Sequence, residues 1–268
     1  MLALVRQRNF GCIWVGGLIS LIGDWMLLTA LPVYVYQSTG STLATGAMLA
    51  ARVMPRVLLG SVAGVFVDRW DRRRTLIVAN LLLALGLLPL LVVTSGDKLW
   101  LVYVVALVQS AIAQFVTPAL GALLPRLVGH RELLRANSLN ALSNDISRLV
   151  GPALGGIVVA STGLAGVAML DSASFAVAAS MAALTRVGYS PSKPSTSTLH
   201  ASPTSAAWAV VAQQWLEGLR RVPSSRVLTV MFGFIAISAI GEGVMGSLLA
   251  PFVSTVLGGD APAYGWIV

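Results

Sequence analysis

The sequence predicts an all-α integral membrane protein: a six-helix bundle followed by the beginning of a second bundle. Hydrophobic residues make up 56% of the chain and charged residues only 10%, whereas about a quarter of the residues in soluble domains are charged. Several apolar runs reach the roughly 20 residues that a membrane-spanning helix needs. They are long and continuous, so they predict helices and not the short alternating strands of a β-barrel.

The apolar runs define seven spans and the start of an eighth. The first run contains Asp24 and is longer than the ~7–15 residues of a signal-peptide core, so we expect it to be retained. The N-terminal transmembrane bundle occupies residues 1–187, with spans at about 10–36, 43–67, 75–94, 99–123, 138–161 and 164–187. Prolines and glycines recur within these runs, as they do in membrane helices.

A segment rich in Ser, Thr and Pro separates this bundle from the rest of the chain. We predict a cytoplasmic linker over residues 188–225, with an amphipathic helix at about 206–221. That helix lies on the membrane surface or is an ordinary solvated linker helix; its pattern fits both. Residues 226–268 begin a second bundle, with a span at about 226–250 and a truncated span from 263.

The distribution of basic residues predicts the orientation. With the N-terminus in the cytoplasm, 14 of the 18 Lys and Arg residues fall in cytoplasmic segments, and Lys98 alone falls in an outer loop. Cytoplasmic loops carry this excess in membrane proteins. We therefore expect a multi-pass protein of the inner (plasma) membrane with a cytoplasmic N-terminus and the lipid bilayer as its surroundings.

Other classes of function are disfavoured. The net charge of +8 is scattered among loops between apolar runs, which does not indicate nucleic-acid binding. Cys12 is the single cysteine, and both histidines lie in predicted loops, so we expect no metal site, no catalytic residues and no cofactor. No phosphate-binding G-x-x-x-x-G-K-[ST] loop is present, so the energy source is an ion gradient or the substrate's own gradient.

Charged residues inside the spans are the main functional candidates, because each costs a few kcal/mol to insert. Either they form buried pairs that set helix packing, or they line a cavity and take part in proton coupling. The candidates are Asp24, Arg52, Arg56, Asp145, Arg148, Asp171 and Glu242.

Two pairings are suggested by position. Asp24 lies at a depth that matches Arg52 and Arg56 on the next span, while Asp145 and Arg148 are three residues apart on one helix. If Asp24 carries the proton, Asp24→Asn abolishes gradient-driven transport and leaves the protein folded.

The fifth span also carries a polar stripe. Asn137, Asn140, Asn144 and Arg148 recur at steps of three and four residues. Amides that face lipid would be unsatisfied, so we expect the stripe to face inward, toward a water-filled cavity or another helix.

Small residues on the second and fifth spans suggest close helix packing and internal symmetry. Gly60 and Gly64 follow Arg56, and Gly151 and Gly155 follow Arg148. Small-xxx-small spacing lets helix backbones approach closely. The parallel between the two spans is the one expected of 3+3 inverted repeats.

The joint between the second and third spans resembles the loop 2–3 signature of the major facilitator superfamily, G-x-x-x-D-R-x-G-R-R. The matching residues are Gly64, Asp68, Arg69, Arg72 and Arg73; Asp71 stands where the family has glycine. In span 5, GPALGG resembles the motif of the family's antiporter branch through Gly151, Pro152, Gly155 and Gly156. The arginine motif usual in the fourth span is missing, and Gln109 lies in that run.

The resemblance implies a secondary transporter that works by alternating access, with the loop 2–3 residues acting as a latch between two bundles. The sequence as a whole is similar to those of the family's bacterial branch that exports drugs, macrolides and siderophores. We therefore expect proton-coupled efflux of a small amphipathic molecule, with that molecule and protons as partners and a missing C-terminal half needed for the activity. The alternative is a truncated, non-transporting membrane fragment or interaction protein.

Overall fold

The computed structural model describes residues 2–93, 98–185 and 225–268. Its α-helices, in chain order, are α1 (Leu2–Val5), α2 (Arg8–Thr39), α3 (Thr42–Arg69), α4 (Arg72–Leu87), α5 (Leu99–Val128), α6 (Leu133–Leu184), α7 (Arg226–Thr255) and α8 (Ala261–Ile267). Short 3₁₀ turns follow α4 (Leu88–Val92) and precede α6 (His130–Glu132).

These helices confirm the predicted fold class. The described residues form no strand, and six of their helices are long and apolar enough to cross a membrane. Backbone amides and carbonyls within a bilayer must be satisfied by the segment itself, which helices achieve. The molecule is a multi-pass, all-α membrane protein.

Helix α6 covers both the predicted fifth and the predicted sixth span, and its backbone is kinked at Gly163. This residue has φ 70° and ψ −167°, a non-helical conformation inside the helix range. A side chain is strained at such a positive φ, whereas glycine adopts it freely. We call residues 133–162 the first half of α6 and residues 164–184 the second half.

Helix α4 changes to a 3₁₀ turn where Pro89 enters the third span. The Leu88 amide donates to Leu85 O instead of continuing the α-helical pattern, which leaves Ala84 O without that donor. The hydroxyl of Ser172 donates to Ala84 O at 2.9 Å. One residue earlier, Gln109 Nε2 donates to Leu83 O at 2.8 Å. Side chains from two other helices thus satisfy the backbone at this transition.

Helix α2 packs against both halves of α6. Gly16 lies so close to Ala178 that an added Cβ would be 3.1 Å from the Ala178 Cα atom. Farther along, a Cβ at Gly155 would be 2.7 Å from Met26 O. The main hydrophobic core surrounds this contact and includes Leu27, Leu31, Leu87, Val102 and Val167. The glycines let backbones approach closely, so α2 becomes the central helix of the bundle.

The chain divides into two units, Met1–Val187 with Gly246–Val268 and Gly188–Met245. In the first unit, the last part of α7 and α8 pack against α2 through Val33, Ala250, Val253, Ala261 and Tyr264. In the second unit, the structure describes residues 225–245, which belong to α7 apart from Ser225. The predicted amphipathic helix at 206–221 lies outside the described residues.

Candidate functional site

Asp24 is a half-buried carboxylate on α2. Neither Arg52, on α3, nor Arg56 has a guanidinium nitrogen within the 4.0 Å of an ion pair with this carboxylate; among the described residues, the salt bridge is Arg135–Glu132. Arg56, the other predicted partner, is exposed. Both predicted pairings of Asp24 therefore stay predictions.

Asp171, on the second half of α6, lies against Gly23, the residue before Asp24 on α2. Asp171 has no exposed surface. Its Oδ1 atom accepts a hydrogen bond from the Ser174 hydroxyl at 3.1 Å. Its Oδ2 atom is buried and has no hydrogen-bond partner.

Gly23 makes room for this carboxylate. A Cβ atom at Gly23 would overlap Asp171 Oδ1 and would lie 2.6 Å from the Ser174 hydroxyl. The absence of a side chain therefore lets the carboxyl group of one helix rest on the backbone of another. We call Asp24, Arg52 and Asp171, which come from three helices, the charged cluster.

Sequence reasoning treated Asp171 as an isolated candidate and did not single out Gly23 or Ser174. The i,i+3 spacing of Asp171 and Ser174 was a readable signal, because it places both side chains on one helical face. The contact with Gly23 could not be read in this way, since nothing local in the sequence says which helix lies opposite.

The predicted ion pair between Asp145 and Arg148 is absent. Both side chains are exposed, and no nitrogen–oxygen distance between them is within 4.0 Å. Instead, the Arg148 guanidinium lies over the ring of Trp25, 5.8 Å from its centroid, as a cation–π pair does. The arginine side chain thus contacts α2 at Trp25, the residue that follows Asp24. It does not pair with the carboxylate of Asp145 on its own helix.

The polar stripe on the first half of α6 does not face the interior of the six-helix bundle. Asn137, Asn144 and Arg148 are exposed and Asn140 is half-buried. The opposite face of the helix is the packed one, with Ala136, Leu139, Ser143, Ser147 and Gly151 buried. Helix periodicity separates these two faces; of the two expected surroundings, a partner helix is not found among the described residues, and a water-filled cavity stays a prediction.

The GPALGG segment holds three helices together at close range. Gly151 and Gly155 face α2, where added Cβ atoms would overlap Trp25 and come within 3 Å of Met26. Gly156 faces α8, and Gly265 of α8 lies against the backbone of Pro152 and Gly156 in return. The predicted close packing is therefore present on span 5. On span 2, an added Cβ atom at Gly60 would have one neighbour, at 3.7 Å, and an added Cβ atom at Gly64 would have none within 4 Å.

The joint between α3 and α4 begins with Asp68 and Arg69, which end α3; their side chains lie outside what the structure describes. Asp71 is the N-cap of α4, and its Oδ1 atom accepts from the Arg74 amide at 2.7 Å. Asp71, which stands where the family has glycine, thus stabilises the start of α4 as its N-cap.

Two arginines of the same joint are anchored differently. Arg73 donates to the carbonyl oxygens of Ala182 and Ala183 at 3.1 and 2.5 Å, where it caps the C-terminal end of α6. Arg72 is half-buried, and its Nε atom has no hydrogen-bond partner. The joint is therefore tied to the end of the sixth span, just before the linker.

One further sequence-predicted candidate is Glu242. Glu242 is exposed on α7. No group of three or more His, Cys, Asp or Glu side chains that could hold a metal ion occurs in the part of the chain that the structure describes.

Comparison with known sequences places these features in a family. The profile of the Major Facilitator Superfamily matches residues 13–268. Macrolide efflux protein A of Streptococcus pyogenes is 29% identical over 183 residues, 68% of this chain and 45% of the relative. The uncharacterized MFS-type transporter YfiS of Bacillus subtilis (strain 168) is 28% identical over 175 residues, 65% of this chain and 41% of the relative.

A third relative is a siderophore exporter by name. Enterobactin exporter EntS of Salmonella typhi is 27% identical over 164 residues, 60% of this chain and 40% of the relative. The chain spans less than half the length of each of these three relatives.

Proposed function

We propose, on the premise that this chain belongs to the Major Facilitator Superfamily, that it forms the N-terminal part of a proton-coupled exporter of small amphipathic molecules. Members of this family are transporters. The named relatives include a macrolide efflux protein and an enterobactin exporter, so we infer that the substrate is a drug-like or siderophore-like compound.

The observation that carries the proposal is the exposed polar stripe on the first half of α6. In a bilayer, amide groups that face lipid lose their hydrogen bonds with water, at a cost of several kcal/mol each. Asn137, Asn144 and Arg148 make no hydrogen bond with other described residues and are exposed. This supports an aqueous cavity beside the stripe, the place where an alternating-access transporter binds its substrate.

The Arg148–Trp25 pair adds a recognition element to the same wall. An aromatic ring under a guanidinium offers an apolar surface and a positive charge side by side. A small molecule with both an apolar body and polar or acidic groups matches this combination. The pair therefore favours amphipathic substrates over simple ions.

The charged cluster supports coupling to protons. Carboxylates within a membrane span are expensive to maintain and recur in proton relays. Asp24 and Arg52 lie on consecutive helices, α2 and α3, so movement of α3 relative to α2 changes the charge near the carboxylate and hence its tendency to bind a proton. The proposed orientation, with the N-terminus in the cytoplasm of the inner membrane, follows from the excess of basic residues in the corresponding loops.

The test is the accumulation of a labelled macrolide and a labelled catecholate siderophore in cells that lack their own exporters. Cells that make this chain together with the C-terminal half of the exporter are expected to accumulate less of at least one compound, and a protonophore is expected to remove the difference. Asn144→Leu, on the polar stripe, should weaken efflux, whereas Leu142→Ile, a conservative change at an exposed position off the stripe, should not. Equal accumulation of both compounds with and without the protein would reject the proposal and favour a non-transporting interaction protein.

A further inference from the structure

We propose that the end of the bundle where α2 begins, α5 ends and α6 begins is a binding surface for the headgroups of anionic phospholipids. Five arginines lie there on separate segments of the sequence, and we call them the basic collar: Arg6, Arg8, Arg126, Arg131 and Arg135. The inference goes beyond export, because the lipid binds to this surface whatever compound the protein moves.

One hydrophobic cluster holds these segments together. Leu4 of α1 and Phe10 of α2 pack with Leu124 of α5 and with Ala136 and Leu139 of α6, and all five side chains are buried. Each arginine of the basic collar lies within two residues of a member of this cluster or of a side chain that packs against it. Arginines from the start and from the middle of the chain are therefore gathered at one end of the bundle.

The short helix α1 folds against the beginning of α2. Leu4 is only 3% exposed, although it lies close to the N-terminus. The Gln7 amide donates to Leu4 O at 3.0 Å, and the Gly11 amide donates to Gln7 O at 2.8 Å. A Cβ atom at Gly11 would overlap the carbonyl oxygen of Val5. The glycine thus lets the segment that carries the first two arginines lie against the bundle.

The basic collar carries far more positive than negative charge. Residues 1–10 and 124–140 contain one acidic residue, Glu132. Both of its carboxylate oxygens accept from Arg135 Nη1 at 3.0 Å, which offsets one of the five positive charges. All five arginines are exposed. Exposed guanidinium groups in such excess favour an anionic ligand, and their planar fork of donors matches the oxygens of a phosphate group.

The position of the basic collar along the helices indicates a lipid headgroup as the source of that phosphate. Helix α2 has 32 residues and α5 has 30, so each is about 45–48 Å long, whereas the hydrocarbon core of a bilayer is about 30 Å thick. Their ends therefore reach the headgroup region. Leu134, which is 79% exposed, lies between Arg131 and Arg135 in the chain and offers an apolar surface to an acyl chain.

Orientation in the membrane does not by itself require this arrangement. Positive charges in cytoplasmic loops set the topology whether or not the loops contact one another. Here the segments are joined by the burial of Leu4 and by the Trp14 indole, whose Nε1 donates to Leu139 O at 3.3 Å. Clusters of basic residues next to membrane spans attract anionic lipid headgroups, so the gathering of the arginines is the observation that carries the proposal.

Binding of a phosphatidylglycerol with a fluorescent acyl chain to this chain in detergent, followed by fluorescence anisotropy, tests the proposal. The chain is expected to bind the lipid and to lose most of its affinity in high salt. Phosphatidylcholine with the same acyl chains should compete poorly, and glycerol 3-phosphate, which has the phosphate without acyl chains, should not compete at the same concentration. Equal competition by either compound would overturn the assignment to an anionic lipid.

Paired variants locate the binding surface. The double variant Arg6→Gln with Arg8→Gln should bind roughly 30-fold more weakly, because each arginine near an anionic surface contributes about a fivefold factor. Arg74→Gln with Arg226→Gln removes the same charge from exposed arginines outside the basic collar and should leave the affinity nearly unchanged. Equal losses in the two glutamine pairs would show attraction by net charge alone and would overturn the proposed surface.

A third pair separates lost charge from lost structure. Arg6→Lys with Arg8→Lys keeps both charges and should retain most of the affinity, while circular dichroism shows that the glutamine pair keeps its helices. Binding that is lost as strongly in the lysine pair as in the glutamine pair would contradict recognition through the charge of the basic collar.

Discussion

The carboxylate of Asp71 shows how a single departure from a family pattern acquires a physical explanation. The family's glycine favours a tight turn at this position, but Asp71 has φ −68° and ψ 112°, a backbone conformation that needs no glycine. Its side chain satisfies one of the amides left free at the start of α4. Aspartate in place of glycine therefore reduces the conformational freedom of the backbone at position 71 and provides an N-cap for α4.

Removing this cap has a calculable effect on stability. Asp71→Ala should lower the free energy of unfolding by about 1 kcal/mol, because the Arg74 amide loses its acceptor. Asp71→Asn keeps an oxygen in place, and Asp71→Gly costs only a few tenths of a kcal/mol, so both serve as controls. Thermal unfolding in detergent, followed by circular dichroism, measures the order; an alanine variant as stable as wild type would contradict the capping role.

At the same scale, the sequence identified the members of the charged cluster but not their arrangement. Asp24, Arg52 and Asp171 are recognisable because ionisable residues are rare in membrane spans. That Asp171 lies against α2 depends on Gly23, whose lack of a side chain becomes meaningful only when the opposite helix is known. The Asp145–Arg148 pair failed for the converse reason: local spacing allowed it, but the ring of Trp25 offered Arg148 another partner.

At the scale of elements, hydrophobic runs predicted the existence of the helices well and their ends less well. Helix α2 extends from Arg8 to Thr39, beyond the purely apolar run, because polar residues at the ends of a span remain in the interface and continue the helix. The connection between the fifth and sixth spans is a single-residue bend at Gly163. The 3₁₀ turn after α4 has a visible cause in Pro89, but the donors that stabilise it, Gln109 and Ser172, lie far away in sequence.

The bend predicts a strong effect of one methyl group. Gly163→Ala should destabilise the protein by about 1–3 kcal/mol, since a side chain is strained at φ 70° and ψ −167°. Gly17, inside α2, has no neighbour within 4 Å of an added Cβ, so Gly17→Ala should be neutral or slightly stabilising. Unfolding temperatures of the two variants in one detergent compare them directly. Equal effects would show that the bend tolerates a side chain.

At the scale of the whole molecule, the glycines of GPALGG connect the two functional features. Gly151 and Gly155 bring α2 against the first half of α6, and the polar stripe occupies the other face of that half. Asp171, on the second half of α6, contacts α2 at Gly23. Helix α2 therefore contacts both the helix of the proposed cavity wall and a carboxylate proposed for proton coupling, so we expect a shift of this helix to affect both.

The symmetry expected of 3+3 inverted repeats remains a prediction. The fifth span uses its glycines for close packing, whereas Gly64 of the second span has open space around it. Two spans related by such symmetry need not make the same contacts, because each faces different neighbours. Sequence similarity between them therefore predicted the presence of the small residues but not their use.

Proton-driven transport in liposomes by the purified complete exporter, of which this chain is the proposed N-terminal part, tests the central claim most directly. A pH gradient across the vesicle membrane should drive movement of whichever test compound the cells export, and collapse of the gradient should abolish it. Asp24→Asn should lose the response to the gradient while remaining folded, and Asp145→Asn should retain it, because that carboxylate is exposed and lies outside the charged cluster. Transport that ignores the gradient in the wild-type protein, or that responds equally well in Asp24→Asn, would contradict the account.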